Sequence, residues 1–171
     1  MDKRIIVGAC ASFAALAGGA AFAQAPAAAP AAAKPSQEYS TAAATVEVAK
    51  PVAEVMKKVG GYCDIGAWLK TTCVQTGPAE QMGAVRVIAG RVTEILVAKT
   101  ATSYTYAQPL APNSYHGTIE FQPAGAGTRI VYTLFFDLAV NADQAAKDKD
   151  LATRKATVKR FVDAMKTAAE G

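Results

Sequence analysis

The residues between Gly83 and Phe136 decide the fold, because apolar and polar side chains alternate there in several short runs. In order, the runs are Gly83-Ala84-Val85-Arg86, Val92-Thr93-Glu94-Ile95-Leu96, Tyr104-Thr105-Tyr106 and, after Pro112 and Tyr115, Gly127-Thr128-Arg129-Ile130-Val131-Tyr132. Short runs with this alternation are typical of half-buried β-strands. The stretch therefore predicts a sheet in which strands that follow each other in sequence also lie side by side.

Working outward, we predict strands at residues 84–89, 92–98, 102–108, 115–122 and 128–138, with earlier strands at 44–49 and 71–75. Hairpins are expected around Gly90-Arg91 and across residues 123–127. Between the first two strands, Pro51 begins a helix that ends near Val59, since proline fits the first helical turn. Residues 62–68 predict a second short helix or a turn, with Asp64 as a possible cap.

A long amphipathic helix is predicted from Asp143 to Ala169, directly after the last strand. Its apolar residues fall at helical spacing and form one stripe, comprising Leu151, Val158, Phe161, Val162, Met165 and Ala168. At the α-helical rise per residue this helix would be about 40 Å long, enough to cross the whole sheet.

This order of elements, with its spaced polar residues, resembles the SRPBCC superfamily, also called START-like or helix-grip, and within it the polyketide-cyclase/dehydrase-like group. The resemblance covers residues 44–169. It implies an α+β fold in which a curved antiparallel sheet, of about six or seven strands, wraps around the C-terminal helix. It also implies a cavity between sheet and helix that holds a small hydrophobic molecule without a cofactor.

Aromatic residues supply most of the candidate ligand contacts, namely Trp68, Tyr104, Tyr106, Tyr115, Tyr132 and Phe136. Buried tyrosine hydroxyls need partners, so converging tyrosines indicate either a pocket with polar handles or a packed core with hydroxyls at the surface. The resemblance favours the pocket. It also places Trp68 at the cavity mouth, although the same residue could instead plug the core beside the helices.

Arg86 and Glu94 match an arginine and a glutamate that the superfamily carries on neighbouring strands. A three-residue connection through Gly90 would set the two side chains opposite each other on one face, whereas a two-residue turn would put them on opposite faces. Together they could orient the polar end of a ligand. Alternatively, they form a cross-strand ion pair that stabilises the sheet by about 0.2–1 kcal/mol.

No motif in the chain predicts a nucleophile with its base, a phosphate-binding loop or a metal site. His116, the one histidine, shares the polar register of its strand with Thr118 and is expected in solvent. We therefore assign no catalytic residue and no metal ligand. A cofactor-free cyclase or dehydratase stays open, in which Glu94 would act with Tyr104 or Tyr106.

The N-terminus predicts export. Residues 1–23 comprise a short charged start, an uncharged apolar run and the cleavage pattern Ala21-Phe22-Ala23, the layout of a secretory signal peptide. An uncleaved anchor and a lipoprotein site at Cys10 are the alternatives. Cleavage after Ala23 would leave no membrane span and place the protein in the periplasm or outside the cell. An Ala/Pro-rich disordered linker at residues 24–41 would then precede one domain at 42–171.

Cysteine and charge content narrow the possibilities further. Cys63 and Cys73 would remain after cleavage, and in an oxidising compartment they form either a disulfide or two buried thiols. The net charge of +4 is mild. The bases of the last helix alternate with acids and lack interleaved aromatic residues, which argues against nucleic-acid binding.

Three functions are compatible with the sequence. A carrier of a lipid-like or aromatic molecule predicts an apolar pocket with a mouth near Trp68 and the loop 109–112. An accessory protein that docks on a periplasmic or envelope enzyme predicts a small or filled pocket and an exposed apolar patch. An enzyme predicts an acid and a base that converge inside the cavity.

Overall fold

The computed structural model describes residues 36–171. The predicted signal peptide and most of the predicted linker lie outside the described residues. The elements are β1 (Tyr39–Val48), α1 (Val52–Val59), α2 (Ile65–Trp68), β2 (Cys73–Thr76), β3 (Val85–Ile88), β4 (Val92–Lys99), β5 (Ser103–Ala107), β6 (His116–Ala124), β7 (Gly127–Asp137) and α3 (Gln144–Glu170).

The strands form one seven-stranded antiparallel sheet in the order β1-β7-β6-β5-β4-β3-β2. Strands β2 to β7 are a meander, as predicted. β1 is the exception, because it pairs with β7 and the two short helices carry the chain to the opposite edge of the sheet. β4 contains a β-bulge between Leu96 and Ala98, a feature that bends a strand. The α+β helix-grip architecture is thus confirmed.

Helix α3 closes the fold by packing against β1, β7 and both short helices. It begins where the carboxylate of Asp143 accepts a hydrogen bond from the Ala146 N–H at 2.8 Å, which satisfies one free donor of the first turn. The predicted apolar stripe faces the sheet and includes the buried residues Val158, Val162 and Met165. The main core therefore lies between this stripe and the concave side of the sheet.

Three local predictions differ from the structure. β1 begins at Tyr39 rather than Ala44, within the segment expected to be linker, because the Tyr39 ring stacks on Phe135 with centroids 4.9 Å apart. The β6–β7 turn is tighter than predicted, since Gly125 adopts a φ of 59° that glycine tolerates. Asp64 precedes α2 but does not cap it, and its carboxylate instead accepts from the Gly61 N–H at 2.6 Å.

A disulfide joins Cys63 to Cys73, with their Cα atoms 5.7 Å apart. It fastens the segment before α2 to the first residue of the edge strand β2. Within residues 36–171, no helix has the length and apolar character needed to cross a membrane.

Candidate functional site

A cavity of about 520 Å³ lies between α3 and the sheet. Helix α2, the β3–β4 hairpin, β5, β7 and the second half of α3 contribute its walls. Most of the wall is apolar or aromatic and includes Ile65, Trp68, Leu69, Ile88, Val92, Tyr106, Tyr115, Tyr132, Phe161 and Ala164. Glu94 and Gln108 add polar groups inside, and Lys70, Arg91 and Arg160 are exposed at the mouth.

Gly117 shapes the inner wall. It lies opposite Tyr106 in the β5–β6 pairing, and a Cβ atom at this position would overlap the Tyr106 ring. The absence of a side chain lets the ring lie across β6 and reach β7. There the hydroxyls of Tyr106 and Tyr132 are hydrogen-bonded at 2.5 Å. The cavity is thus lined by a tyrosine pair that spans three strands.

The structure separates the predicted ligand residues into two groups. Trp68, Glu94, Tyr106, Tyr115 and Tyr132 line the cavity. The other three, Arg86, Tyr104 and Phe136, are buried behind its wall and do not line it.

Trp68 both lines the cavity and fills the core beside the helices, the two roles that the sequence left open. It lines the cavity, and it is only 5% exposed with its ring edge-on to Phe161 at 5.7 Å. Its indole Nε1 is buried and has no hydrogen-bond partner among the described residues. The wall therefore holds a donor that a polar atom of a ligand could satisfy.

The prediction that the loop 109–112 borders the mouth of the cavity is wrong. No residue of the loop 109–112 lines the 520 Å³ cavity. That loop instead borders a separate cavity of about 470 Å³, and Tyr115 lies between the two. The mouth is instead formed by the exposed residues Lys70, Arg91 and Arg160, which sequence periodicity does not distinguish from other surface bases.

Arg86 and Glu94 form a buried ion pair. The β3–β4 connection has three residues, because Ile88 pairs with Val92, so Arg86 and Glu94 lie directly opposite each other on one face. The Arg86 Nε and Nη2 atoms lie 2.7 and 2.5 Å from Glu94 Oε2. The two residues are 0% and 3% exposed. Both readings of the sequence hold in part: the pair is a cross-strand ion pair, and its carboxylate member reaches the cavity wall.

Further contacts hold this pair in place. Gln108 donates from Nε2 to the second carboxylate oxygen of Glu94 at 2.9 Å, and Arg86 Nη1 donates to the carbonyl oxygen of Tyr62. The guanidinium carbon of Arg86 lies 4.1 Å from the Tyr62 ring centroid and 5.1 Å from that of Tyr106, distances suited to cation–π attraction. Arg86 is therefore a positioning residue for Glu94.

The tyrosines that line the cavity keep their protons at neutral pH. Burial raises the pKa of Tyr106 and of Tyr132 well above the usual value, and it raises the pKa of Tyr115 to about 12. Their hydroxyls can therefore donate hydrogen bonds to a ligand, whereas a phenolate base is not available near neutral pH.

Two of the missed cavity residues carried a signal in the sequence. Phe161 belongs to the predicted stripe of α3, and Gln108 follows Tyr104 and Tyr106 at the strand spacing of two, which puts it on their face. Within residues 36–171, no cluster of three residues is suited to hold a metal ion.

Comparison with known proteins identifies the family. A family model described as "Polyketide cyclase / dehydrase and lipid transport" matches residues 40–170. Among curated proteins, none matches the chain by sequence.

Several solved structures share the fold at low sequence identity. A protein from Thermobifida fusca is 21% identical, with a TM-score of 0.63 over 75% of this chain and 92% of its own. The di-domain ARO/CYC BexL of the BE-7585A biosynthetic pathway is 17% identical, with a TM-score of 0.62 over 78% of this chain and 50% of its own. A point mutant of norcoclaurine synthase from Thalictrum flavum is 12% identical, with a TM-score of 0.58 over 78% and 96%.

The family model covers nearly all of the described residues, and these structures share the arrangement of a sheet around one long helix. The resemblance found in the sequence is confirmed: the chain belongs to the polyketide cyclase / dehydrase and lipid transport family.

Proposed function

We propose that this protein is a carrier that binds one small, mostly apolar molecule in the cavity beneath α3. The observation that carries the proposal is the cavity itself, since about 520 Å³ falls in the range of about 300–1,000 Å³ typical of small-molecule pockets. A docking protein without a ligand would not need this hollow, because close-packed side chains would stabilise the fold better.

The chemistry of the wall supports a lipid-like or aromatic ligand. Apolar and aromatic side chains would bury the body of the ligand, and each buried methylene group contributes about 0.8 kcal/mol. The hydroxyl pair of Tyr106 and Tyr132, together with the indole of Trp68, offers a few polar contacts that would fix its orientation. This division between apolar body and sparse polar handles is what the proposal requires.

A cofactor-free cyclase or dehydratase is the second candidate. It is favoured by the carboxylate of Glu94 in the wall, and by the names of BexL, an ARO/CYC protein, and of norcoclaurine synthase. Binding is the better supported role, because Arg86 and Gln108 already donate to both carboxylate oxygens of Glu94. The neighbouring tyrosines hold their protons and do not supply a base.

We further propose that the carrier acts in the periplasm or outside the cell. The layout of residues 1–23 and the disulfide between Cys63 and Cys73 support this location, since structural disulfides persist in oxidising compartments. Cell fractionation tests it: the intact mass of the protein recovered outside the cytoplasm should match a chain that begins at Gln24. Recovery of the uncleaved chain from the cytoplasm would contradict it.

Binding can be tested with N-phenyl-1-naphthylamine, a neutral apolar dye that fluoresces when it leaves water. The variant Ala164→Phe would place a ring inside the cavity, and we expect it to weaken dye binding at least about tenfold. Ala152→Phe is the matched control, because Ala152 lies on the exposed face of the same helix. Equal affinities of the two variants and the wild type, or no dye binding at all, would contradict the proposal.

A further inference from the structure

We propose that the cavity selects ligands that carry an anionic group at one end, held at the mouth by Lys70, Arg91 and Arg160. This inference rests on the proposed carrier function and adds the class of ligand: an apolar or aromatic body with a carboxylate, sulfonate or phosphate head.

The three bases reach one opening from separate parts of the chain. Lys70 follows α2, Arg91 lies in the β3–β4 turn, and Arg160 belongs to the second half of α3. All three line the cavity and are exposed, so these residues lie where the cavity meets solvent. The fold therefore brings together cations that form no basic run in the sequence.

These charges are not neutralised within residues 36–171. None of the three forms an ion pair with a described residue. Two other bases on α3, Lys159 and Lys166, do pair with an acid one turn along the helix. Glu94 is the single acidic residue of the lining, and its carboxylate is buried and bound to Arg86. The mouth thus presents uncompensated positive charge to an entering molecule.

Among the described residues, four besides glycine have a positive φ, and Lys70 is the one of them that carries a charge at the mouth. Lys70 adopts a φ of 53°, in the left-handed region where a non-glycine residue is strained by about 1–3 kcal/mol. Glycine would occupy this position without that strain, as it does in the β3–β4 turn at Gly90, whose φ is 67°. The chain instead holds a lysine there, at the mouth of the cavity.

Electrostatics and solvation both favour an anionic head at this place. A cleft with low-dielectric walls concentrates the field of the charges at its mouth, which attracts anions and raises their association rate. Guanidinium groups donate paired hydrogen bonds that match carboxylate, sulfonate and phosphate oxygens. An amphipathic anion would bury its apolar body while its charge stays in contact with water, so the head avoids the desolvation cost of a buried ion.

The test compares two dyes with the same ring system, N-phenyl-1-naphthylamine and 1-anilinonaphthalene-8-sulfonate, of which only the second carries an anion. The mouth variant is Lys70→Gln/Arg91→Gln/Arg160→Gln in the full chain. The control is Lys57→Gln/Lys58→Gln/Lys155→Gln, which removes the same charge from exposed residues outside the cavity. We expect the mouth variant to bind the sulfonate at least about fivefold more weakly, from the loss of contacts worth up to about 1 kcal/mol each.

In the same experiment, the neutral dye should bind the wild type, the mouth variant and the control with affinities within about twofold of each other. Equal loss of sulfonate binding in mouth variant and control, or no loss in either, would overturn the anion preference and leave the carrier function standing. Failure of both dyes to bind the wild type would overturn the carrier function and the preference together.

A single substitution distinguishes the effect of the Lys70 charge on binding from an effect on protein stability. Lys70→Gly removes one mouth charge and relieves the left-handed backbone, so it should weaken sulfonate binding while thermal stability stays equal or rises. A variant that lost stability and sulfonate affinity in step would instead assign Lys70 a structural role, and would overturn its part in the proposal.

Discussion

Two halves of the sheet behave differently against α3. The long-strand half comprises β1, β6 and β7, with 10, 9 and 11 residues. The short-strand half comprises β2, β3, β4 and β5, with 4, 4, 8 and 5 residues. Two members of the long-strand half, β1 and β7, pack directly on α3, whereas most strand residues that line the cavity belong to β3, β4 and β5, with Tyr132 of β7.

The buried side chains of the two halves differ in the same way. The long-strand half buries a nearly continuous apolar face that includes Ile119, Phe121, Ile130, Leu134 and Phe136. On its concave side the short-strand half buries Ile88 and Leu96 and, beside them, a polar group that comprises Arg86, Glu94, Tyr104 and Tyr106. The long-strand half therefore buries mainly apolar side chains, whereas the short-strand half also holds polar groups in a fixed arrangement beside the cavity.

Removing a buried charge from the short-strand half should destabilise the protein far more than removing an exposed charge from the long-strand half. Glu94→Ala would leave Arg86 buried without its partner, and we expect a loss of about 3–5 kcal/mol in the free energy of unfolding. Glu47→Ala is the control, because it breaks an exposed pair with Arg129 worth at most about 1 kcal/mol. Urea unfolding measures both, and similar losses would show that the Arg86 pair is not a buried structural centre.

Loss of the Cys63–Cys73 disulfide, which holds the edge of the short-strand half, should destabilise the protein less. The disulfide joins residues separated by 10 positions, and its loss should cost about 2–3 kcal/mol in the free energy of unfolding. Urea unfolding with and without dithiothreitol measures this cost, and the variant Cys63→Ser/Cys73→Ser serves as control because the reductant should not change it. An unchanged midpoint for the reduced wild type would refute the prediction.

Gly117 lies where the two halves meet, and Gly117→Ala tests its role there. The added methyl group would push the Tyr106 ring from its place and disturb the bond to Tyr132, with an expected loss of about 1–3 kcal/mol in the free energy of unfolding. A smaller residue at position 106 should relieve the clash, so Tyr106→Leu should be less costly in the Gly117→Ala background than in the wild type. Strictly additive effects in this double-mutant cycle would argue against the close approach.

Titration to alkaline pH tests the burial of the tyrosines, and we expect it to leave stability near neutral pH unchanged. Burial raises the pKa of five tyrosines, namely Tyr62, Tyr104, Tyr106, Tyr115 and Tyr132. Each favours the folded state fully below the unfolded pKa of 10.0, and for Tyr115 this contribution falls as pH rises from there toward about 12. Tyrosinate absorbance should therefore develop at higher pH in the native protein than in urea. Coincident titrations would contradict the burial of these side chains.

Much of the fold could be predicted from the sequence, because alternation in strands and the apolar stripe of α3 are local patterns. Whether the side chains of Arg86 and Glu94 lie on the same face of the sheet could not be predicted, because it depends on the number of residues in the turn around Gly90. A turn of two residues would have put them on opposite faces. The start of β1 at Tyr39 also escaped prediction, because it depends on the distant ring of Phe135.

The candidate site was predicted less completely than the fold. Strand periodicity placed Tyr106 and Tyr132 on inward faces, and both line the cavity. It placed Tyr104 and Phe136 inward as well, but inward-facing residues divide into cavity wall and filled core according to the curvature of the sheet, which the pattern does not encode. The bases at the mouth come from three separate segments, so only the folded arrangement brings them together.

A crystal structure of the protein grown with N-phenyl-1-naphthylamine would show directly whether the cavity beneath α3 holds an apolar molecule. We expect electron density for the dye in the cavity, in contact with Trp68, Tyr106 and Phe161, with the helix still packed on the sheet. A structure in which the side chains of α2 and α3 fill this space, with the dye bound elsewhere or absent, would contradict the carrier proposal.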